Sequence, residues 1–187
     1  TCPLAKTIPT PQGEGRFLGT ALTNVELCAG TRPISSQFLQ EGRPAVGMEK
    51  NDSRSEDLST LQGYVAAEDK IHCLHRNYPG QPAIWEKTLL WISDQCSMWI
   101  FPTSSIHKRH SKRPQGDFFF KSVRETNLRA DFLVTLATIA SGQVGCWVIW
   151  ESSHSTKQFA YTPIASWAKK YGAGHHRVYL SLSLIHI

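Results

Sequence analysis

The sequence predicts an α+β fold, in which two or three helices pack on a small antiparallel sheet and the N-terminal third is largely irregular. Three observations lead to this prediction: apolar residues at helical spacing in two segments, one long uncharged stretch interrupted by a Gly-containing triplet, and a first third rich in Pro and Gly. The length of 187 residues, 41% of them hydrophobic and 19% charged, is typical of one soluble globular domain. It excludes a collagen, a long coiled coil and a small disulfide scaffold.

Composition divides the chain into three segments. Residues 1–59 contain five prolines and six glycines without a sustained period of 2 or 3.6 residues, which is typical of loop or disorder. Residues 60–181 are expected to form a small globular α+β domain. Residues 182–187 resemble the translation of a transposase adapter that is joined to DNA fragments before sequencing, so we expect them to lie outside the native protein.

Helical spacing identifies two helices. The first covers residues 82–100, where apolar side chains repeat at intervals of four and three between two prolines: Trp85, Leu89, Ile92, Cys96 and Trp99. The second begins near Thr162 and ends before Gly172, with Pro in its first turn and two lysines in its last. Apolar residues between positions 58 and 71 indicate a third helix, although Gly63 disfavours it.

Residues 132–150 carry no charged side chain, and two interpretations of them compete. A helix of this length could cross a bilayer, with the basic residues upstream of it held in the cytoplasm. Alternatively, a turn at residues 141–143 makes the stretch a β-hairpin, which its Val, Ile, Thr and Trp content favours. We expect the hairpin rather than a membrane span, and no association with a membrane. The antiparallel sheet would then be completed by strands at residues 117–123 and 177–182.

A basic run at residues 107–114 is the densest charge feature, with four Lys or Arg and two His. Such a run neutralises nucleic-acid phosphates, and the three phenylalanines at positions 118–120 offer rings on which unpaired bases stack. The net charge of +5 favours polyanionic partners in general. The sequence therefore predicts a nucleic-acid-binding module, against the alternative of a solvated loop with its Phe run in the core. The candidate binding residues are Lys108, Arg109, Lys112, Arg113, Phe118 and Phe120.

Catalytic and metal-binding patterns are absent from the sequence. It has no nucleophile elbow, no phosphate-binding glycine loop and no metalloprotease helix, and its His and Cys residues match no zinc spacing. Five scattered cysteines favour reduced thiols, and with them an intracellular compartment. We therefore predict no enzyme, no cofactor and no metal site.

Two other origins of the sequence stay open at this point. The uncharged stretch would also fit a fragment of a single-span membrane protein. The 8 His, 6 Trp and 5 Cys would also fit an accidental or out-of-frame translation without an evolved function. Such a chain lacks the local consistency of a folding sequence and would unfold with poor cooperativity.

Overall fold

Strands and helices alternate along the chain. The computed structural model describes residues 23–41, 43, 45–50, 53–76, 88–94, 98–100, 105–152 and 156–174. Within these ranges the strands are β1 (Thr23–Leu27), β2 (Ala45–Met48), β3 (Thr88–Ile92) and β4 (Trp147–Trp150). The helices are α1 (Pro33–Gln40), α2 (Leu61–Arg76), α3 (Lys121–Ile139) and α4 (Thr162–Lys170).

The four strands form one sheet in the order β2-β1-β3-β4, and every pairing is parallel. Val25 of β1 pairs with Val46 on one side and with Leu90 on the other, and Leu90 pairs with Val148 of β4. The predicted antiparallel sheet and the α+β class are therefore wrong, and the protein has an α/β fold. Parallel strands need long crossover connections, which the helices between the strands supply.

Strand β1 is buried along its whole length although three of its five residues are polar. Asn24 donates a hydrogen bond to Ser35 of α1, and Glu26 accepts one from the Ser35 backbone amide. Alternation along the strand directs Val25 and Leu27 to the opposite face. The prediction that the first third is irregular is wrong for β1, α1 and β2, because strands of four and five residues are too short to give a sustained alternating pattern.

The predicted helix at residues 82–100 is wrong where the structure describes it, because β3 lies at its centre. Leu90 and Ile92 are almost fully buried on one face of the sheet, and Leu89 is buried on the other. When a short strand is apolar on both faces, an apparent helical spacing arises by chance. Residues 82–87 and 95–97 lie outside the described residues.

The predicted hairpin is also wrong in its first half. Residues 121–139 form α3, a π-helical turn at Ala140–Val144 ends the helix, and β4 follows. The uncharged stretch begins in the middle of α3, so the absence of charge did not coincide with an element boundary. The flanking strand expected at 117–123 is a turn leading into α3, and 177–182 lies outside the described residues. Within the described ranges, none of the helices combines the length and the apolar character that a bilayer span requires.

Two predicted helices are confirmed. Helix α4 spans Thr162–Lys170 with Pro163 in its first turn, and Gly172 follows with a positive φ of 65°. Helix α2 covers most of the range predicted for the third helix and includes Gly63. Helices α2 and α3 contact each other, as do α3 and α4, and α1 contacts β1 and β2. The main core lies between the sheet and helices α2 and α3; its members include Val25, Leu27, Leu90, Ile92, Ala67, Ile71, Leu133 and Leu136.

Candidate functional site

The carboxyl ends of the strands meet at one edge of the sheet. Strand β1 is followed by α1 and by β2 on one side of it, whereas β3 pairs on its other side. The connections that leave β1 and β3 therefore diverge and open a crevice between them. In open α/β sheets, ligands bind in the crevice at such a switch of direction.

A cleft of about 430 Å³ lies at this crevice. Its volume falls within the range of small-molecule sites. Residues that follow three different strands line it, and α3 contributes a further side chain. These residues include Cys28 and Gly30 after β1, Glu49 after β2, Ser93 and Asp94 after β3, and Arg129 of α3.

The connection between β1 and α1 has an unusual backbone. Cys28, Gly30 and Arg32 all have positive φ angles, of 58°, 52° and 58°. A non-glycine residue in this conformation costs about 1–3 kcal/mol, and such residues cluster at binding sites. A Cβ atom at Gly30 would have no heavy atom within 4 Å, so the backbone at this position is open to an approaching ligand.

Glu49 faces this connection from the end of β2. Its carboxylate accepts a hydrogen bond of 2.9 Å from the Gly30 amide, 19 residues earlier in the sequence. In dinucleotide-binding α/β folds, a glycine-rich turn after the first strand is followed about 20 positions later by an acidic residue that accepts hydrogen bonds from the ribose hydroxyls. Gly30 and Glu49 have this spacing, although the turn between β1 and α1 contains a single glycine.

The N-terminus of α1 differs from a phosphate-binding helix start. The Ser35 amide donates to the buried Glu26 carboxylate at 2.7 Å, and the Ser36 amide donates to the Arg32 carbonyl. Pro33 has no amide hydrogen. A phosphate at a helix start needs free amides and tolerates no carboxylate beside them, so this terminus is unsuited to a phosphate.

An ion pair is buried at the end of β3. Arg129 Nε donates to Asp94 Oδ1 at 2.7 Å, and Gln158 Nε2 donates to Asp94 Oδ2 at 2.6 Å. The Asp94 side chain is fully buried. Burial opposes the charge of Arg129, but the attraction of Asp94 and smaller contributions from Cys28 and Asp57 together outweigh it and raise the pKa of the guanidinium. The network fixes the cleft wall by joining β3, α3 and the turn before α4.

Carboxylates outnumber basic groups among the described residues that line the cleft. Glu49, Glu56, Asp57 and Asp94 face only Lys50 and Arg129. Glu56 is paired with Lys70 at 2.6 Å, and Arg129 is paired with Asp94. Burial acts to raise the pKa of Asp57, but hydrogen bonds from the Ser59 hydroxyl and amide outweigh it and lower that pKa. With these pairs neutralised, Glu49 and Asp57 face Lys50, and this small excess of negative charge favours neutral or positively charged ligands over anions.

Cys28 is not an activated nucleophile. Burial, with the negative charge of Asp94 as a second cause, raises the pKa of its thiol. A thiol held protonated reacts slowly, because the thiolate is the reactive form. Cys28 thus contributes shape to the cleft wall.

Likeness to other proteins gives no assignment for the cleft. Comparison with protein-family models, with curated proteins and with solved structures finds no match to this chain. In the part of the chain that the structure describes, no group of three or more His, Cys, Asp or Glu residues could hold a metal ion. A function must therefore be inferred from the geometry and charge of the cleft.

The structure separates the predicted nucleic-acid ligands into two groups. Arg109 is buried, its guanidinium lies 3.8 Å from the centroid of the Trp99 ring, and it donates to the Pro114 carbonyl and to Asn127 Oδ1. Burial lowers the pKa of Arg109 to about 10. The position of this side chain makes it unavailable to a phosphate.

The other predicted nucleic-acid ligands lie on the surface, except for Phe120, which is partly buried. Lys108, Lys112 and Arg113 are exposed, and Lys108 pairs with Asp117 at 3.0 Å. Phe118 is 52% exposed. The ring of Phe120 is partly buried and packs edge-on against His107. Phe119, which the sequence analysis left out of its candidates, is 85% exposed.

The cleft residues were missed because the first third of the chain was interpreted as irregular. The spacing of Gly30 and Glu49 was a usable signal, since each directly follows a short stretch containing Val, Leu or Met. This sequence signal for a binding crevice was incomplete, because the turn between β1 and α1 contains a single glycine and β1 contains the polar residues Asn24 and Glu26. Asp94 and Arg129 are 35 positions apart, and no sequence pattern connects them.

Proposed function

We propose that the cleft binds a nucleoside cofactor without phosphate groups, that S-adenosylmethionine is this cofactor, and that the protein is a methyltransferase. The observation that carries the proposal is the hydrogen bond from the Gly30 amide, after β1, to the Glu49 carboxylate, after β2, in the wall of the cleft. The earlier prediction of no enzyme was based on the absence of local motifs. A crevice formed by parallel strands does not depend on those motifs.

Three properties of the cleft support this class of ligand. Glu49 supplies an acceptor for ribose hydroxyls, and the open backbone at Gly30 allows close approach. Glu26 occupies the start of α1, which disfavours a pyrophosphate. The excess of carboxylates suits a sulfonium cation. S-adenosylmethionine combines a ribose with a sulfonium and has no phosphate, and its characteristic reaction is transfer of the sulfonium methyl group to a nucleophile.

Calorimetric titration tests the proposal directly. S-adenosylmethionine and S-adenosylhomocysteine are expected to bind, and NAD⁺ and ATP to bind at least about tenfold more weakly because of their phosphates. Tighter binding of NAD⁺ would assign the crevice to a dinucleotide instead. Absence of binding by both adenosyl compounds would overturn the proposal.

A matched pair of variants locates the ligand. Glu49→Gln keeps an acceptor for the Gly30 amide but removes the charge, and is expected to weaken S-adenosylmethionine binding about 10- to 100-fold. Glu41→Gln removes the same charge at an exposed position just after α1 and should leave binding unchanged. Equal losses in the two variants would show that the ligand does not bind beside Glu49.

A further inference from the structure

We propose that residues 105–120, the loop that leads into α3, are a docking surface for single-stranded nucleic acid. In this surface Lys112 and Arg113 contact phosphates, and the rings of Phe118 and Phe119 stack on bases. None of these four residues lines the cleft. The proposal therefore goes beyond the cofactor site and does not depend on it.

The net charge of the chain is concentrated in this region. Residues 105–124 contain six Lys or Arg residues and one acidic residue, so their formal charge of +5 equals that of the whole protein. Lys112 and Arg113 are exposed. Among the described residues, neither side chain forms an ion pair, which leaves both charges available to phosphates.

Arg109 holds the basic part of the loop in shape from inside. Its guanidinium binds the Pro114 carbonyl and Asn127 Oδ1, and Asn127 in turn donates to the Gln115 carbonyl. Backbone pairing of His110 with Arg113 forms a tight turn with Lys112 near its tip. Arg109 is thus a positioning residue that fixes the loop from which Lys112 and Arg113 project.

The aromatic turn is fixed next to the basic turn. The Asp117 amide donates to the His107 carbonyl at 2.8 Å and closes the neck of the loop. The Asp117 carboxylate accepts from Lys108 Nζ and from the Phe119 amide, so one side chain connects both turns. Arg124 donates to the carbonyls of Phe118 and Phe119. A backbone fixed in this way presents exposed rings with little further ordering on binding.

Charge complementarity and exposed flat rings together favour an unpaired polynucleotide. A duplex offers phosphates to Lys112 and Arg113 but keeps its bases stacked on one another. It would therefore leave the Phe rings without a stacking partner. An acidic protein partner would insert apolar side chains into pockets, and it has no flat bases to stack on the exposed rings of Phe118 and Phe119. An anionic lipid surface would use both features, and it is therefore one arm of the test.

The test measures fluorescence anisotropy of labelled oligothymidine and oligouridine with the full chain, between about 50 and 200 mM salt. Lys112→Ala combined with Arg113→Ala is expected to weaken binding and to reduce the slope of log K against log salt by about 1.4, since each lost phosphate contact removes about 0.7. Phe119→Ala is expected to weaken binding about 5- to 100-fold with an unchanged slope, because stacking involves no counterion release. Equal results with the two oligomers assign the surface to single strands in general.

Lys169→Ala combined with Lys170→Ala is the matched control, because it removes two exposed charges at the end of α4. It should change neither the affinity nor the slope beyond the general effect of net charge. All substituted positions are exposed, so unchanged thermal midpoints exclude misfolding as a cause. An unchanged slope in the Lys112/Arg113 variant, or an equal loss in the control, would overturn the proposal. Binding to anionic vesicles without binding to oligonucleotides would assign the surface to a membrane instead.

Discussion

Among the described residues, no carboxylate lies within hydrogen-bonding distance of the buried Arg109 guanidinium, and neutral acceptors and an aromatic ring surround it instead. It binds one carbonyl and one amide oxygen and lies over the Trp99 ring. A cation in such a place is costly to desolvate, and this cost is the reason that its pKa is lowered to about 10. The side chain stabilises the fold only through the geometry of its donors and its stacking.

Arg109→Ala is therefore expected to reduce the free energy of unfolding by about 2 to 4 kcal/mol, because it removes the stacking and leaves two buried acceptors unpaired. Arg109→Lys should recover only part of this loss, since an ammonium cannot reproduce the planar pair of donors. Arg113→Ala, an exposed residue of the same run, should change stability by less than about 0.5 kcal/mol. Urea unfolding of the three variants measures these differences, and equal effects of Arg109→Ala and Arg113→Ala would contradict the buried role.

The sequence could not separate these two arginines. They belong to one run of charge, and burial depends on Trp99 and Asn127, which lie 10 and 18 positions away. The same limit applied to the three phenylalanines. Backbone contacts of Asp117 and Arg124 determine that Phe119 faces solvent and that Phe120 faces His107.

At the scale of elements, helix α2 contains Gly63, and the reason for a glycine at this position lies outside the helix. A Cβ at Gly63 would collide with the Asp57 backbone, so the helix can pass this segment only without a side chain. Asp57 lines the cleft, and the close approach therefore connects α2 to the cleft wall. In the sequence Gly63 disfavours a helix, because helix propensity is visible in a sequence and tertiary contact is not.

Gly63→Ala should consequently destabilise the protein by about 1 to 3 kcal/mol, although Ala in place of Gly ordinarily favours a helix by about 1 kcal/mol. Gln62→Ala, at the exposed neighbouring position, should have almost no effect. Thermal and urea unfolding measure both variants. A stabilised Gly63→Ala protein would mean that Asp57 and its turn move away readily.

Elements with local signals were predictable, and elements determined by the sheet were not. Helix α4 has Pro in its first turn, two lysines in its last turn and a glycine after it, all within 11 residues, and its prediction is confirmed. Strands β1 and β3 have five residues each, and their burial comes from partners far along the chain. Strand β1 also buries Asn24 and Glu26, whose hydrogen bonds to α1 no local pattern indicates.

For the whole molecule, the topology bears on the hypothesis of an accidental reading frame. The sheet and helices α2 and α3 share one core. Buried polar groups outside this core are satisfied in part: Glu26 and Asp94 accept hydrogen bonds, whereas Gln158 Oε1 and Arg129 Nη2 have no hydrogen-bond partner among the described residues. Agreement between burial and strand pairing is typical of a sequence that specifies one fold.

We accordingly expect the chain to unfold in one cooperative transition, with coincident curves from far-ultraviolet circular dichroism and tryptophan fluorescence. The calorimetric and van't Hoff enthalpies should agree, since β1 and β3 lie side by side in the shared core. A gradual transition, or separate curves from the two probes, would instead favour a chain without a selected fold.

The concentration of charge in residues 105–124 also has a kinetic consequence. Twenty basic and fifteen acidic residues in the chain, less the six and the one in this region, leave fourteen of each, so the remainder of the protein is electrically balanced. The charge of the molecule is therefore unevenly distributed along the chain. A polyanion would turn the protein as it approaches, so that the loop that leads into α3 arrives first. Such orientation raises the association rate constant at low ionic strength, and added salt removes the gain.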